Sequence, residues 1–223
     1  MYNKTIFFIL LYKFFVIKCY YGGVLVAHKV IEIDCPGCGA RVSTDQKQCD
    51  WCKGPIIIST FNSIDSLPLP KLSSMASNYA KSISANPDNQ ELHGSVAMCN
   101  LKLCRYNEAL ASFERAIEGN FDNSELYFYA AVCLLQGKKA FLHTRSTIDK
   151  VLEYLNAAVM IEPRGIYYYF MAYVKYDYFT RKYLRVSPDY KELLAMAKRQ
   201  GYSDYDVRQL FTILKVEKPA VLV

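Results

Sequence analysis

The chain has 223 residues, of which 52% are hydrophobic and 22% are charged, a composition typical of a folded globular protein. An intrinsically disordered chain is therefore excluded. The formal net charge is +6, and three of these charges belong to Lys4, Lys13 and Lys18 in the first 23 residues, which contain no acidic residue. The remaining +3 is too small to indicate a dedicated nucleic-acid-binding protein.

The first 27 residues make up an apolar N-terminal segment, residues 1–27. Its central run, residues 5–17, is shorter than the about 20 residues of a membrane-spanning helix and is interrupted by Lys13. No small-residue cleavage site of a secretory signal peptide follows this run. Two interpretations stay open. The segment is a weak membrane anchor, or the native protein starts at Val26 and AT-rich non-coding DNA encodes the residues before it.

Four of the eight cysteines occur in two C-x-x-C pairs, Cys35 with Cys38 and Cys49 with Cys52, and ten residues separate the pairs. Each pair is suited to a tight turn that directs both sulfurs at one ion. Four thiolates complete the tetrahedral coordination of zinc and leave no open position. The spacing therefore predicts one structural Zn2+ with these four cysteines as its ligands. Since a closed ligand set admits neither water nor substrate, we expect no catalysis at the metal.

The two cysteine turns resemble the zinc-ribbon family, in which two such turns cap short strands. The resemblance covers residues 31–58 and implies strands at residues 30–33 and 56–58, within a zinc ribbon at residues 28–58. Rubredoxin-like iron sites contain similar cysteine pairs. The short gap between the pairs, and the lack of an aromatic-rich sequence around them, favour zinc.

Nucleic-acid binding by the ribbon is the less favoured alternative. Three basic residues lie near the turns, Arg41, Lys47 and Lys53, and two aspartates offset them. We expect Trp51 to cover the metal, and a stacking contact with a base is the alternative. The ribbon is therefore predicted to be purely structural or to contact a protein.

A linker is predicted at residues 59–71, which contain serines and two prolines that each follow a leucine. The pattern beyond it predicts a helical domain at residues 72–218. Within that domain, residues 95–101 align with residues 129–135 at an offset of 34 residues. This offset is the period of the tetratricopeptide repeat (TPR), a helix–turn–helix unit.

One complete unit is recognisable, because residues 90–123 resemble the TPR family. Ala109, Phe113 and Ala116 recur at spacings of four and three and form one face of the second helix. The small alanines let the two helices of a unit approach closely, while Phe113 fills the groove between them.

Further helices follow this unit. A second unit spans residues 124–163 and contains an insertion at residues 138–145 between its two helices. The first helix of a third unit starts at Ile166, and residues 188–200 and 203–214 predict two more helices. The resemblance implies a mainly α fold, in which a TPR-like solenoid follows a small N-terminal zinc ribbon with short β-strands.

The TPR resemblance implies a concave surface that is lined by first helices and binds a peptide or protein. Tyrosine suits such a surface because it combines apolar area with a polar tip. The alternative is that individual tyrosines pack between neighbouring helices. The basic insertion either contacts an acidic partner or is a solvated loop pinned by Phe141 and Leu142. The candidate partner-binding residues are His93, Asn100, Tyr127, Leu134, Tyr169, Tyr173 and Tyr176.

No catalytic motif is present, and the three histidines lie in different segments. Cys99, Cys104 and Cys133 lie on apolar helical stretches, which favours a reducing compartment over a disulfide framework. We therefore expect a non-enzymatic cytoplasmic adaptor with a structural zinc ribbon and a TPR-like surface for a protein or peptide. The alternatives are a nucleic-acid-associated factor that binds through the ribbon, and a membrane-tethered scaffold if residues 1–23 are native.

Overall fold

The computed structural model describes residues 30–222. The apolar segment 1–27, and with it both interpretations of that segment, lies outside the described residues. Strands β1 (Glu32–Asp34) and β2 (Arg41–Ser43) pair antiparallel, with Ile33 opposite Val42. This small sheet precedes a helical region, which confirms the predicted mainly α fold. The α-helices are α1 (Leu69–Ala85), α2 (Gln90–Lys102), α3 (Tyr106–Gly119), α4 (Ser124–Leu134), α5 (Arg145–Ile161), α6 (Gly165–Val174), α7 (Tyr190–Gln200) and α8 (Asp204–Leu214).

Short helical segments complete the chain. They are 3₁₀ turns at Phe61–Ile64, Ala140–Leu142 and Thr180–Lys182, and a π-helical turn at Lys175–Phe179 that extends α6. The longest helices in residues 30–222, α1 and α5, have 17 residues each. Among the helices described, none has the length and apolar character needed to cross a membrane.

Polar side chains fix where several helices begin. Asn89 and Asn123 stand 34 positions apart and each accepts a backbone N–H at the start of α2 or α4. Such caps satisfy N–H groups that have no partner within the helix. Ser203 and Asp206 form a reciprocal capping box at the start of α8, where the sequence predicts a helix start.

Helices α1 to α7 pack in sequence, each against the next, and α8 packs against α6. Ala109, Phe113 and Ala116 are fully buried on α3, so the face predicted for this helix is the one that packs. The predicted insertion at residues 138–145 does lie between α4 and α5. Ala140 and the half-buried Phe141, instead of the exposed Leu142, hold it against the helices.

Two boundaries differ from the sequence expectation. Residues 56–58 form no strand, since the partner of β1 is β2, which directly follows the first cysteine turn. Residues 59–71 are not an exposed linker, because Phe61 and Ile64 are buried and α1 already begins at Leu69. The cysteine turns and the helices belong to one compact unit and share a core.

The start of α6 lies against the end of α7. A Cβ atom on Gly165 would overlap the carbonyl oxygen of Gly201 and would lie 2.8 Å from the carbonyl oxygen of Ala197. Both neighbours are backbone atoms that no rotamer change can move. Glycine at this position therefore allows the start of α6 to approach the end of α7 closely.

Alanine substitutions at two helical glycines are expected to have opposite effects. Gly165→Ala should lower the free energy of unfolding by about 1–3 kcal/mol, because the added methyl group forces the backbone of α6 and α7 apart. Gly94→Ala should raise it by up to about 1 kcal/mol, since the nearest atom to its Cβ is Leu126 Cδ2 at 3.7 Å and alanine favours helix. Urea unfolding of both variants measures the difference, and equal shifts would contradict the close approach.

Candidate metal centre and binding cleft

The sulfur atoms of Cys35, Cys38, Cys49 and Cys52 all lie within 4.8 Å of one another. The Sγ atoms of Cys35 and Cys52 are 3.7 Å apart, and so are those of Cys38 and Cys49. Four sulfurs at 2.3 Å around a tetrahedral ion would be separated by about 3.8 Å, whereas a disulfide bond is about 2.05 Å long. The four predicted ligands are therefore brought together at distances that fit one metal ion.

Two similar turns direct these sulfurs. In the first turn the N–H of Gly39 donates to the carbonyl of Cys35 at 2.9 Å, and in the second the N–H of Lys53 donates to the carbonyl of Cys49 at 2.9 Å. Gly39 and Lys53 occupy equivalent positions, and their φ angles are +81° and +55°. This left-handed conformation favours glycine, so the second turn is built with a less suitable residue.

Ionisation of the buried cysteines would require a compensating cation. Cys35 and Cys49 are fully buried, Cys52 is half-buried and Cys38 is exposed. Burial raises the pKa of the Cys35 thiol to about 12, whereas the backbone N–H of Cys52 is the largest influence that lowers the pKa of Cys49 to about 7. Four thiolates cannot coexist in this space without a compensating charge, and a soft divalent cation would supply it.

The cysteine turns are fastened to α1 and α2 by hydrogen bonds. Asn78 Nδ2 donates to the carbonyl of Pro36 at 3.0 Å, and the buried hydroxyl of Tyr79 donates to the carbonyl of Ile56 at 2.8 Å. The N–H of Ile58 donates to Ser95 Oγ at 2.9 Å. These contacts explain why residues 56–58 form no strand, since helix side chains satisfy their backbone groups.

Trp51 lies in the second turn and is 79% exposed. The expectation that it covers the metal is therefore wrong. Arg41 pairs with Glu32 and Asp34 on the exposed side of the small sheet, at 3.8 Å and 3.4 Å. The surface around the turns thus combines a free indole ring with internally paired charge.

The candidate partner-binding residues fall into two groups. Tyr169 and Tyr173 are 1% exposed and Asn100 is 8% exposed, so these three offer no surface to a partner. The rings of both tyrosines contact Phe211 of α8, with centroids 6.4 Å and 5.3 Å from it. The last helix therefore covers the tyrosine face of α6, which sequence periodicity alone does not reveal. His93, Tyr127, Leu134 and Tyr176 stay partly exposed.

Residues 56–65 pack against α2 and α4, and we call this segment the inner arm. Ile56, Ile58, Phe61 and Ile64 of the arm are all buried. The ring of Phe61 stacks on that of Tyr129 in α4, with centroids 6.2 Å apart. The inner arm therefore covers parts of α2 and α4, while α8 covers part of α6.

A cleft of about 490 Å³ lies between the inner arm and α8. Its walls include residues 60–62, the first turns of α4 and α6, and one face of α8. This volume is within the range of known ligand sites. No sequence motif marks the cleft, because it arises from segments up to about 150 positions apart.

The cleft has polar walls. Arg164 Nη1 donates to Glu125 Oε1 at 2.8 Å and to the hydroxyl of Tyr167 at 3.2 Å. Gln209 Nε2 donates to the hydroxyl of Tyr205 at 2.9 Å. Within residues 30–222, Oε1 of Gln209 is a buried side-chain oxygen without a hydrogen-bond partner. An unpaired buried acceptor costs about 1–3 kcal/mol, so this oxygen is an energetically unfavourable feature of the cleft wall.

Comparison of the chain with known protein families and with curated proteins finds no family and no relative that matches it. The likeness to zinc ribbons and TPR units is therefore a resemblance in motif spacing alone.

Replacing one buried ligand tests the cysteine cluster. Cys49→Ser should lower the metal content from one ion per chain to near zero. It should also reduce the free energy of unfolding by about 4 kcal/mol or more, because the turns share the core of the helices. Metal analysis and urea unfolding measure the two effects.

Cys104→Ser is the matched control, because Cys104 is an exposed thiol outside the cluster. It should keep one metal ion per chain. Retention of one ion by the Cys49→Ser variant would contradict the four-cysteine assignment.

Proposed function

We propose that this chain is a non-enzymatic cytoplasmic adaptor in which one structural Zn2+ holds a ribbon module and TPR-like helices bind an extended peptide. The observation that carries the proposal is the cleft between the inner arm and α8, whose walls include the amide side chains of Asn62, Gln200 and Gln209. A peptide backbone offers both donors and acceptors to such amides. The metal centre supports binding indirectly, because it holds the segment that leads into the inner arm.

Zinc is the proposed ion. A tetrahedral set of four thiolates suits zinc or iron, and both fit the sulfur separations. Zinc needs no redox partner and stabilises small modules that lack a sufficient core of their own. The strands of this module have only three residues each, and Ile33 and Val42 provide their buried side chains. Elemental analysis of the native protein distinguishes zinc from iron.

The TPR-like assignment is supported by equivalent positions 34 residues apart. Ala97 and Ala131 are both fully buried, and Cys99 and Cys133 are buried to within 1%. Each pair stands at the same place in its helix, after a capping asparagine. Small buried residues at equal spacing let successive first helices pack closely, as a repeated unit requires.

The geometry of the cleft favours an extended peptide over a helix or a small molecule. The inner arm already shows how an extended segment lies on this face, since its Ile58 N–H is bound by Ser95 and its Ile56 carbonyl by Tyr79. The open cleft continues along the same face toward α8. Gln209, Asn62 and Gln200 among its walls supply further amide groups for a peptide backbone.

Selection from a random peptide display library with the metal-loaded full chain tests the proposal. We expect enrichment of a peptide family whose binding is weakened about tenfold by Gln209→Ala, because one buried hydrogen bond is lost. Arg208→Ala is the matched control on the same helix, since Arg208 is exposed and lies outside the cleft. Failure to enrich any peptide, or equal weakening by both variants, would contradict peptide binding in the cleft.

Nucleic-acid binding through the ribbon is the second candidate function, and the exposed ring of Trp51 is the observation that favours it. Stacking on an exposed aromatic ring is worth about 1–3 kcal/mol per base. This candidate predicts salt-sensitive retention on single-stranded RNA that is lost in Trp51→Ala and in a variant with Arg41 and Lys47 replaced. Retention that is unchanged in both variants would eliminate the ribbon as the binding site.

A further inference from the structure

Two basic segments that are far apart in sequence meet on the helical domain. One is the insertion at residues 138–145 and the other spans residues 175–185. The N–H of Phe141 donates to Asp177 Oδ2 at 2.8 Å. The ring of Phe141 also faces Arg181 and Lys182, whose charged groups lie 4.6 Å and 4.9 Å from its centroid. We call the surface formed by these segments the basic–apolar patch.

The patch concentrates the charge of the protein. Its two segments contain seven of the 27 lysines and arginines but one of the 21 acidic residues. Their formal net charge of +6 equals that of the whole chain, so the rest of the chain is neutral overall. The single acid, Asp177, is 2% exposed and is bound by Arg181 and the N–H of Phe141. Lys175 is buried, and Arg145 pairs with Asp149 at 2.8 Å, so the positive charge at the surface of the patch comes mainly from Lys138, Lys139, Lys182 and Arg185.

Exposed apolar side chains lie directly beside these cations. Leu142 follows Phe141 and is 68% exposed, while Tyr183 and Leu184 follow Lys182 and are 96% and 44% exposed. The turn that carries the second pair is well defined, because the N–H of Leu184 donates to the carbonyl of Phe179 at 2.8 Å. Singly exposed apolar side chains are common on protein surfaces, and it is their position next to unpaired cations that distinguishes this patch.

We propose that the basic–apolar patch binds the surface of an anionic lipid membrane. Phosphate and carboxylate headgroups would pair with Lys138, Lys139 and Arg185, which are exposed. Leu142 and Tyr183 would enter the boundary between headgroups and acyl chains. Basic residues flanked by leucine and aromatic side chains are the combination that an interfacial membrane contact requires.

A membrane fits the patch better than a nucleic acid does. Recognition of single strands relies on aromatic faces that are free to stack on bases. Here the rings of Phe141 and Phe179 are faced by cations, and Lys182 Nζ lies 3.9 Å from the centroid of Tyr178, so Tyr183 is the one fully exposed ring of the patch. A nucleic acid would also leave the exposed leucines without a partner. The membrane uses both the charge and the apolar tips.

Co-sedimentation of the full chain with vesicles tests the proposal. We expect binding to phosphatidylcholine vesicles that contain about one third phosphatidylserine, and little binding to phosphatidylcholine alone. Combined replacement of Lys138, Lys139 and Arg185 by glutamine should weaken binding about 100-fold, because each basic residue near an anionic surface contributes about fivefold. Replacement of Lys81, Lys198 and Arg208 by glutamine is the control, since it removes the same charge outside the patch and should leave most of the affinity.

The N-terminal segment is identical in all of these proteins, so a difference between the two triple variants reports on the patch. Equal affinities of the two variants would overturn the proposal. Thermal melting shows whether either triple variant is unfolded.

A second pair of variants separates a membrane from other anionic partners. Leu142→Ser should weaken vesicle binding several-fold because it removes an apolar tip, while Met160→Ser, at a residue 51% exposed on α5, should not. Polyuridylic acid and polyglutamate are the competing ligands. Tighter binding to either polymer than to the anionic vesicles, or equal effects of the two serine variants, would overturn a membrane contact.

Discussion

Four sulfur atoms are held within 4.8 Å of one another, and two of them belong to fully buried cysteines. Ionised thiols at this separation repel one another in a medium that screens charge poorly. A cation bound by the four sulfurs would replace this repulsion with attraction and would hold the two turns in place relative to β1, β2 and α1. Because Tyr79 and Ser95 bind the chain just after the second turn, the geometry of the sulfurs also determines where the inner arm starts.

The packing of the helices depends on small residues between them. Neighbouring helices approach closely where alanine or glycine replaces a larger side chain, as at Ala97, Ala131 and Gly165. A face lined in this way is broad and apolar, and exposure of such a face favours aggregation. The chain covers much of it with its own residues, the inner arm over α2 and α4 and the ring of Phe211 over α6. What stays open is a polar gap between the two covers.

Local sequence signals predicted the parts of the structure that depend on neighbouring residues. The C-x-x-C spacing located the four sulfurs, and the face of Ala109, Phe113 and Ala116 located the packing side of α3. Features that depend on distant contacts were missed. The carbonyl of Ile56 is bound by Tyr79, 23 positions away. The β-branched residues 56–58 therefore do not form the strand that their composition predicts. Tyr173 is covered by Phe211 of another helix, and no periodicity within α6 indicates that cover.

The inner arm has a thermodynamic consequence. It is continuous with the second cysteine turn and at the same time supplies Thr60, Phe61 and Asn62 to the cleft wall. Any ligand that prefers the ordered arm therefore stabilises the arrangement of sulfurs that the metal prefers. By linkage, the factor by which the metal tightens such a ligand is the factor by which the ligand tightens the metal. The two sites are joined by the eight residues between Cys52 and Phe61, so occupation of the metal site would change the affinity of the cleft.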